Sequence, residues 1–419
     1  LAARGGRRGI RCLDGLGHHR LIDEDRHDLE RNSLHFTRIG HENHPNRPAP
    51  CQTGAMRPTV TDLLATAHVV SLPLTSRFRG IDVREAMLIE GPEGWTEFSP
   101  FTEYGDAEAS AWLAAAIDFG WNPTPPALRD TIRVNATMPA VTADEVPAVL
   151  ARFPGCRTVK IKVAEPGQSL ADDTARVAAV RAALGAEGRI RVDANGGWNM
   201  DEAEHAIHAF AEFDLEYVEQ PCATVDELAQ VRRRVKYMGI PIAADESVRK
   251  AEDPLAVARA GAADILVVKA QPLGGISAAL ALIAEAGLPV VVSSALDTSV
   301  GISMGLHLAA AIPEVTTTQF AVMARLAEVG PLSQNHLGRA TAMDAATIKG
   351  VVDRLAKLGF VETAADPDDR RRLTVSLTTD GAAIVSAKVA TALQVSSDTL
   401  APLTAEETTI LKSMLLRLT

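Results

Sequence analysis

From about residue 132 to residue 311 the chain alternates short apolar runs with longer amphipathic stretches. Thr158-Val-Lys-Ile-Lys-Val163 is the clearest run. Strand side chains alternate faces, so Val159, Ile161 and Val163 share one face and Lys160 and Lys162 the other. Arg191-Val-Asp-Ala-Asn195, Tyr217-Val-Glu-Gln-Pro221, Ala243-Ala-Asp-Glu-Ser247 and Ile265-Leu-Val-Val-Lys269 follow in the same style. Asp193, Glu219, Asp245 and Lys269 sit at the C-terminal ends of their own runs. The acids are evenly spaced, 219 − 193 = 26 and 245 − 219 = 26, about one strand-plus-helix unit. The runs are β-branched and closed by turn residues, as in a buried parallel sheet. Strands are predicted near 132–137, 158–163, 189–195, 215–221, 241–247, 265–271 and 289–295. Helices fall near 143–152, 171–184, 200–212, 224–235, 253–260, 275–286 and 300–311. This is an incomplete (β/α) barrel of seven strands, with its site at the strands' C-terminal ends.

The flanks follow other patterns. Residues 57–120 read as a small α+β unit. A helix is expected over Thr61–His68, strands over Val69–Leu74 and Val83–Ile89, and a hairpin turn at Pro92-Glu-Gly94. Arg77-Phe-Arg-Gly80 turns between the strands, Glu97–Tyr104 is a polar-aromatic loop, and Ala107–Phe119 is an Ala-rich helix. Pro-rich Asn122–Pro126 links this unit to the barrel. After Pro313-Glu314 the pattern becomes helical with one hairpin. Helices are expected at Gln319–Glu328, Ser333–Ala340 capped by Ser333, and Asp344–Leu358 capped by Asp344 and stopped by Gly359. Strands Phe360–Ala364 and Leu373–Leu377 follow, then helices near 379–398 and 404–418. Helix, helix, helix, hairpin is the order of a winged helix-turn-helix. The fold class is thus α/β plus α+β, divided as leader 1–55, capping domain 56–126, barrel 127–314 and winged domain 317–419.

Residues 1–55 lack either period and hold six of the eleven histidines. The spacing of His18, His19, His27, His35, His41 and His44 matches no metal site type. A disordered leader is the plainer expectation, with folding, and even translation, beginning at Met56. The net charge is −11, carried by the middle of the chain, so no basic excess announces a nucleic-acid partner. Cys12, Cys51, Cys156 and Cys222 form no framework, and no apolar run reaches the roughly 18 residues of a membrane span. A cytoplasmic protein without membrane contact is expected.

Three carboxylates on neighbouring strand ends suit a hard divalent cation, magnesium first and manganese as the alternative. A lysine beside such a site can serve as a base near neutral pH. The cation then stabilises charge on a carboxylate substrate whose α-proton leaves. Taken singly, the motifs read as structure. Asp193-Ala-Asn-Gly196 is a turn, Lys-x-Lys an exposed strand face, and Asp245-Glu246 a helix cap. Together they put five polar residues at successive strand ends, where a purely structural barrel would place apolar ones.

Residues 56–314 resemble the o-succinylbenzoate synthase family of the enolase superfamily, in its actinobacterial form. The resemblance rests on Ser76-Arg-Phe-Arg-Gly80, Glu97-Phe-Ser-Pro-Phe101, Lys160-Ile-Lys162, Asp193-Ala-Asn-Gly-Gly-Trp198, Glu219-Gln-Pro-Cys222, Ala244-Asp-Glu-Ser247, Pro272-Leu-Gly-Gly275 and Ser293-Ser-Ala-Leu-Asp297. It implies a capping domain over a modified barrel. It implies magnesium-dependent syn dehydration of 2-succinyl-6-hydroxy-2,4-cyclohexadiene-1-carboxylate in menaquinone biosynthesis. By the resemblance, Lys162 is the base, Lys269 faces it, and Lys160 supports Lys162. Asp193, Glu219 and Asp245 bind the metal, Ser293 and Ser294 line the substrate pocket, and Arg79 belongs to a specificity loop of the cap. Related barrels racemise N-acylamino acids with the same lysine pair, which is the same-fold alternative. Val235–Ile240 is longer than the family's pattern, and the family's last strand is not found after Glu314.

Residues 317–419 resemble the multiple-antibiotic-resistance regulator (MarR) family. Thr318-Gln-Phe-Ala-Val322, the run from Met343 to Leu355, Asp366-Pro-Asp-Asp-Arg-Arg-Arg372 and Leu377-Thr-Thr-Asp-Gly381 carry this. It implies a recognition helix over 344–357 with Ala346, Thr347 and Lys349 near base edges, and Arg370, Arg371 and Arg372 on a wing reaching duplex DNA. A plainer reading of the arginines is a solvated turn paired with Asp366, Asp368 and Asp369. The family's dimer-forming helix before Gln319 is not found, although its members read DNA as homodimers. Both departures meet near Glu314–Thr318, which reads as a deletion or as a misassembled gene that joined neighbours. Three readings therefore stand: a dehydratase, a repressor carrying the barrel as a sensing body, and a fusion in which neither half works well.

Overall fold

The computed structural model of the chain describes residues 33–35, 57–78, 81–249, 253–343, 345–365 and 373–416. It divides into two compact units, residues 1–312 and 313–419. The expected leader lies outside the described residues except for strand β1 (Ser33–His35), which pairs antiparallel with β5 (Thr131–Arg133).

The first unit begins with a helix at Val60–Ala65 and a three-stranded antiparallel meander, β2 (Ala67–Phe78), β3 (Ile81–Gly91) and β4 (Gly94–Phe98). Gly94, at φ +132°, takes the hairpin conformation that a side chain would resist. The helix Asp106–Trp121 packs on this sheet and buries Trp112, Ala115 and Ala116. The expected polar-aromatic loop starts too early. Glu97 and Phe98 end β4, and Glu97 is fully buried.

Seven parallel strands follow in simple consecutive order: β6 (Ala136–Met138), β7 (Thr158–Lys162), β8 (Arg189–Asp193), β9 (Leu215–Glu219), β10 (Ile242–Ala244), β11 (Ile265–Val268) and β12 (Val290–Val292). Seven were expected. The predicted strand at 132–137 is instead broken in two. β5 leaves to pair with β1, and Asn135, whose Oδ1 accepts from Arg191 at 3.1 Å, separates it from β6. Helices fill each gap, at Val146–Leu150, Leu170–Leu184, Met200–Phe210, Val225–Val235, Ala256–Arg259 and Ile276–Ala286, and Ser299–Ala311 follows the last strand. Three of them start from the same capping box, Ser169/Asp172, Asn199/Glu202 and Thr224/Glu227, each satisfying free N–H groups of the first turn. The longer segment after Val235 is absorbed by a 3-10 turn at Lys236–Met238 that ends in left-handed Gly239.

Alternation sorts the strand residues. Val159, Ile161, Ile190, Val192 and Val218 are fully buried in the layer shared with the helices. Each such side chain contributes about 1.5–3 kcal/mol relative to exposure. The other face carries Lys160, Lys162, Asp193 and Glu219. Beneath this polar ring lies a small apolar cluster of Tyr217, Ala243 and Val267. The Arg191 guanidinium stacks 5.0 Å from the Tyr217 ring centre.

The second unit runs through helices Thr317–Val329, Gln334–Ala340 and Ala345–Lys357, with a short strand β13 (Leu332–Ser333) before the second. β14 (Val361–Ala365) and β15 (Leu373–Leu377) form an antiparallel hairpin, and β13 adds to its outer side in the order β13-β15-β14. Helices Thr379–Leu400 and Ala405–Leu416 follow. Val322, Met323, Leu337, Ile348, Val352 and Leu355 are in its core. Ser333 stands at the N-cap and pairs in β13, and its side chain makes no capping hydrogen bond among the described residues. Asp344, the other expected cap, lies outside the described residues. Among the described residues no helix is long and apolar enough to cross a membrane.

Candidate active site

The ladder places the polar residues side by side. Lys162 pairs in register with Asp193, and Asp193 with Glu219, across β7, β8 and β9. Asp245 and Lys269 directly follow β10 and β11. The sheet order sets β7 and β11 on either side of the three acid-bearing strands. Lys160 and Lys162 therefore approach from one side and Lys269 from the other.

Each lysine is bound to a carboxylate. Lys162 Nζ donates to Asp193 Oδ2 at 2.6 Å and to Asn195 Oδ1 at 2.7 Å. Lys160 Nζ lies 2.9 Å from Glu219 Oε1 and 3.1 Å from Asp193 Oδ2. Lys269 Nζ donates to both oxygens of Asp245, at 2.7 and 2.6 Å. Asp193 and Glu219 are fully buried, and Asp245 nearly so. Ser293 and Ser294 directly follow β12 at the same end of the sheet, both half-buried. Arg79 lies outside the described residues.

Burial separates the protonation behaviour of these groups. Burial alone would pull Lys160 down, but the carboxylates of Asp193, Glu219 and Asp245 overcome it and hold the ammonium well above an ordinary lysine. Lys160 is thus a fixed cation. Burial pushes Asp193 up, yet Lys160 and Lys162 together hold its carboxyl below the usual range. Glu219 goes the other way. Burial, then the charge of Asp193, raises it to about 7.

The carboxylates offer oxygen donors alone, the set a hard divalent cation takes. Among the described residues Oε2 of Glu219 is buried without a hydrogen-bond partner, an unused acceptor in the ring. Among the described residues no three His, Cys, Asp or Glu side chains are grouped closely enough to hold a metal as they lie. The lysines take the Asp193 and Asp245 oxygens instead. The donor set therefore fits a divalent cation by its chemistry, with the lysines drawn aside.

Residues 143–349 match the enolase C-terminal domain-like family model and residues 69–120 the enolase N-terminal domain-like one. The o-succinylbenzoate synthase of Mycolicibacterium smegmatis is 59% identical over 259 residues, 62% of this chain and 79% of that protein. That of Mycobacterium tuberculosis is 60% identical, covering 62% and 78%. The chain belongs to the o-succinylbenzoate synthase family of enolase-superfamily lyases. Among solved structures, the L-Ala-D/L-Glu epimerase of Bacillus subtilis is 25% identical, with a TM-score of 0.51 over 60% of this chain and 87% of that one.

Several residues around the family's site, most of them inside the motifs of the resemblance, are given no role by the sequence. Asn195, at φ +48°, holds Lys162 from the turn after β8. Left-handed Asn is the one clue available. Gln220 is fully buried; its Oε1 accepts from the Asp245 N–H at 3.0 Å, and its Nε2 donates to Ser247 Oγ at 2.7 Å. Glu97 spans from the cap. Its carboxylate accepts from the N–H groups of Thr298 at 3.0 Å and Gly301 at 2.9 Å, at the start of helix Ser299–Ala311. That is where the partial positive charge of a helix lies. Arg84 lies beside it. Its Nε donates to Leu296 O at 2.9 Å, and its guanidinium sits 4.4 Å over Phe101. Burial, then Glu97, raises Asp297 to about 7.

In the second unit, Ala346, Thr347 and Lys349 lie on helix Ala345–Lys357. Thr347 is exposed. Lys349 is exposed and ion-paired to Asp353 at 2.7 Å. Arg370, Arg371 and Arg372 lie outside the described residues.

Proposed function

We propose that the first unit is an o-succinylbenzoate synthase, dehydrating 2-succinyl-6-hydroxy-2,4-cyclohexadiene-1-carboxylate to o-succinylbenzoate in menaquinone biosynthesis. One observation carries the reading: lysines reach a ring of three buried carboxylates from both flanks. Lys162 takes the proton from the carbon bearing the carboxylate, and the electron pair moves toward that carboxylate. The pair then returns to form the ring double bond as the C6–O bond breaks. Lys162, now protonated and on the same face, delivers its proton to the departing hydroxyl, so water leaves and the lysine is regenerated. Lys269 stands opposite as a cation that does not exchange the proton. Lys160 stays charged throughout and disfavours a second positive charge on its neighbour Lys162. Magnesium, or manganese, held by Asp193, Glu219 and Asp245, would supply Lewis-acid stabilisation of the substrate carboxylate. Ser293, Ser294 and Arg79 are assigned to substrate contact, and a cytoplasmic location suits the substrate.

The test is conversion of the cyclohexadiene, with and without magnesium, by the chain and by Lys162→Ala. Magnesium-dependent turnover lost in Lys162→Ala supports the reading. A chain no faster than Lys162→Ala overturns it. N-acylamino acid racemisation by the same lysine pair is read in parallel from loss of optical rotation.

For the second unit we propose a MarR-type DNA-binding role. The order of two short helices followed by an antiparallel hairpin supports it. Thr347 and Lys349 would meet base edges, Ala346 a thymine methyl, and Arg370–Arg372 the backbone of duplex DNA, in a homodimer. Complexes that weaken steeply between 50 and 200 mM salt, and are lost in Thr347→Ala/Lys349→Ala, are expected in gel-shift titrations. Salt-independent or absent binding refutes the role.

A further inference from the structure

A buried ion pair lies directly behind the proposed base, outside the carboxylate ring. Arg176 and Asp173 sit one turn apart on helix Leu170–Leu184, and both are buried. Arg176 is fully enclosed. Its Nη1 donates to the main-chain oxygen of Lys162 at 2.8 Å and to Asp173 Oδ1 at 2.8 Å. Its Nε donates to Val141 O and its Nη2 to Gln168 Oε1. Asp173 Oδ2 accepts from the Ala164 N–H at 2.9 Å. The pair therefore holds the backbone on both sides of Val163, at the oxygen of Lys162 and the nitrogen of Ala164.

That backbone needs holding. Ala164 adopts φ +60°, a left-handed conformation that an alanine takes only when its surroundings impose it. On its other side Gly197 approaches so closely that an added Cβ would stand 2.9 Å from the Ala164 side chain. A surface pair at this i,i+3 spacing could do with any partner. This one is enclosed, and its hydrogen bonds reach the main chain at the end of β7 and in the segments after β6 and β7, and the Gln168 side chain, so its geometry is specified on every side.

We propose that Asp173 and Arg176 are positioning residues for the base. They fix the strained turn after β7 and thereby aim the Lys162 side chain at the reacting proton. This rests on the assignment of Lys162 as the base. Both act through the backbone flanking Val163 rather than on the carboxylate ring, so the effect is expected on kcat rather than on KM.

The test uses the full chain with magnesium and the cyclohexadiene. Arg176→Met alone strands a buried carboxylate and risks misfolding. The informative variant is therefore Asp173→Asn/Arg176→Met, with Arg176→Lys as the conservative partner and Lys162→Met as control. Two readouts are taken: steady-state kinetics, and hydrogen–deuterium exchange of peptides covering 162–166. The double variant is expected to lower kcat at least 30-fold with KM within threefold. Exchange at 162–166 should accelerate at least tenfold while peptides from β8 to β11 keep parental rates, and Arg176→Lys should recover part of kcat. A folded double variant with parental kcat and parental exchange at 162–166 overturns the proposal. So does uniform acceleration across the barrel, which marks mere scaffolding. If Lys162→Met loses turnover but the double variant does not, only the positioning role falls. If Lys162→Met keeps the parental kcat, the base assignment itself falls and takes the positioning role with it.

Discussion

The ammonium of Lys162 lies 2.6 Å from Oδ2 of Asp193, its register neighbour on the adjacent strand. The proposed base and a proposed metal ligand thus neutralise each other across one ladder step. Replacing Lys162 by Met removes the base but leaves Asp193 paired with Lys160. The variant is expected to fold with a melting temperature near the parent's and to lose about 10²–10⁴-fold in kcat, read by steady-state assay and calorimetry.

Removing the acid instead should behave differently. Asp193→Ala leaves Lys160 and Lys162 short of a buried partner they share. Breaking a buried pair from one side costs about 3–5 kcal/mol. Urea denaturation without metal should show that loss, and an unchanged midpoint would refute the shared-partner geometry.

Glu219 carries the unused acceptor, Oε2. Glu219→Gln keeps the shape and removes the charge. Titration calorimetry with magnesium should show binding weakened at least tenfold, with a metal-free melting temperature equal to or above the parent's. Binding equal to the parent's would show that the ion sits elsewhere.

The latch between the cap and helix Ser299–Ala311 depends on both Glu97 oxygens accepting N–H groups. A Gln offers one acceptor and turns an NH₂ toward donors. Glu97→Gln is expected to cost about 1–3 kcal/mol and to speed proteolysis within residues 57–121, measured by limited digestion. Parental digestion rates would show that the latch is dispensable.

Asp297 gives a pH signature. Its carboxyl is raised to about 7, first by burial and then by Glu97. Between its ordinary value near 4 and pH 7 the folded chain therefore holds a proton that the unfolded chain has lost. Stability from this group is present at the acid end and declines as pH rises through 7. Asp297→Asn should flatten that decline in melting temperature between pH 5 and 8. An identical pH profile in the variant would exclude Asp297 as its source.

The placement of the ring residues could be read from the sequence alone. A charge closing an apolar run has nowhere to go but a strand end, so Asp193, Glu219, Asp245 and Lys269 declared themselves. Their even spacing supplied the barrel. Glu97 was misread as a loop residue because its partners lie about two hundred positions away, at Thr298 and Gly301. Asp173 and Arg176 look like an ordinary surface pair on a predicted helix, since i,i+3 spacing is the same whether the pair is exposed or enclosed. The break between β5 and β6 depends on Arg191 reaching Asn135, another long-range contact.

The balance of charge in the ring has a consequence for ligand order. With Lys162 as the neutral base and the other groups ionised, Lys160 and Lys269 leave the ring of Asp193, Glu219 and Asp245 one charge negative when empty of other ions. A divalent cation entering alone leaves it one charge positive, and a doubly negative dicarboxylate entering alone leaves it three charges negative. Arriving together they restore the single negative charge. Each ligand should therefore tighten the other's binding by the same factor.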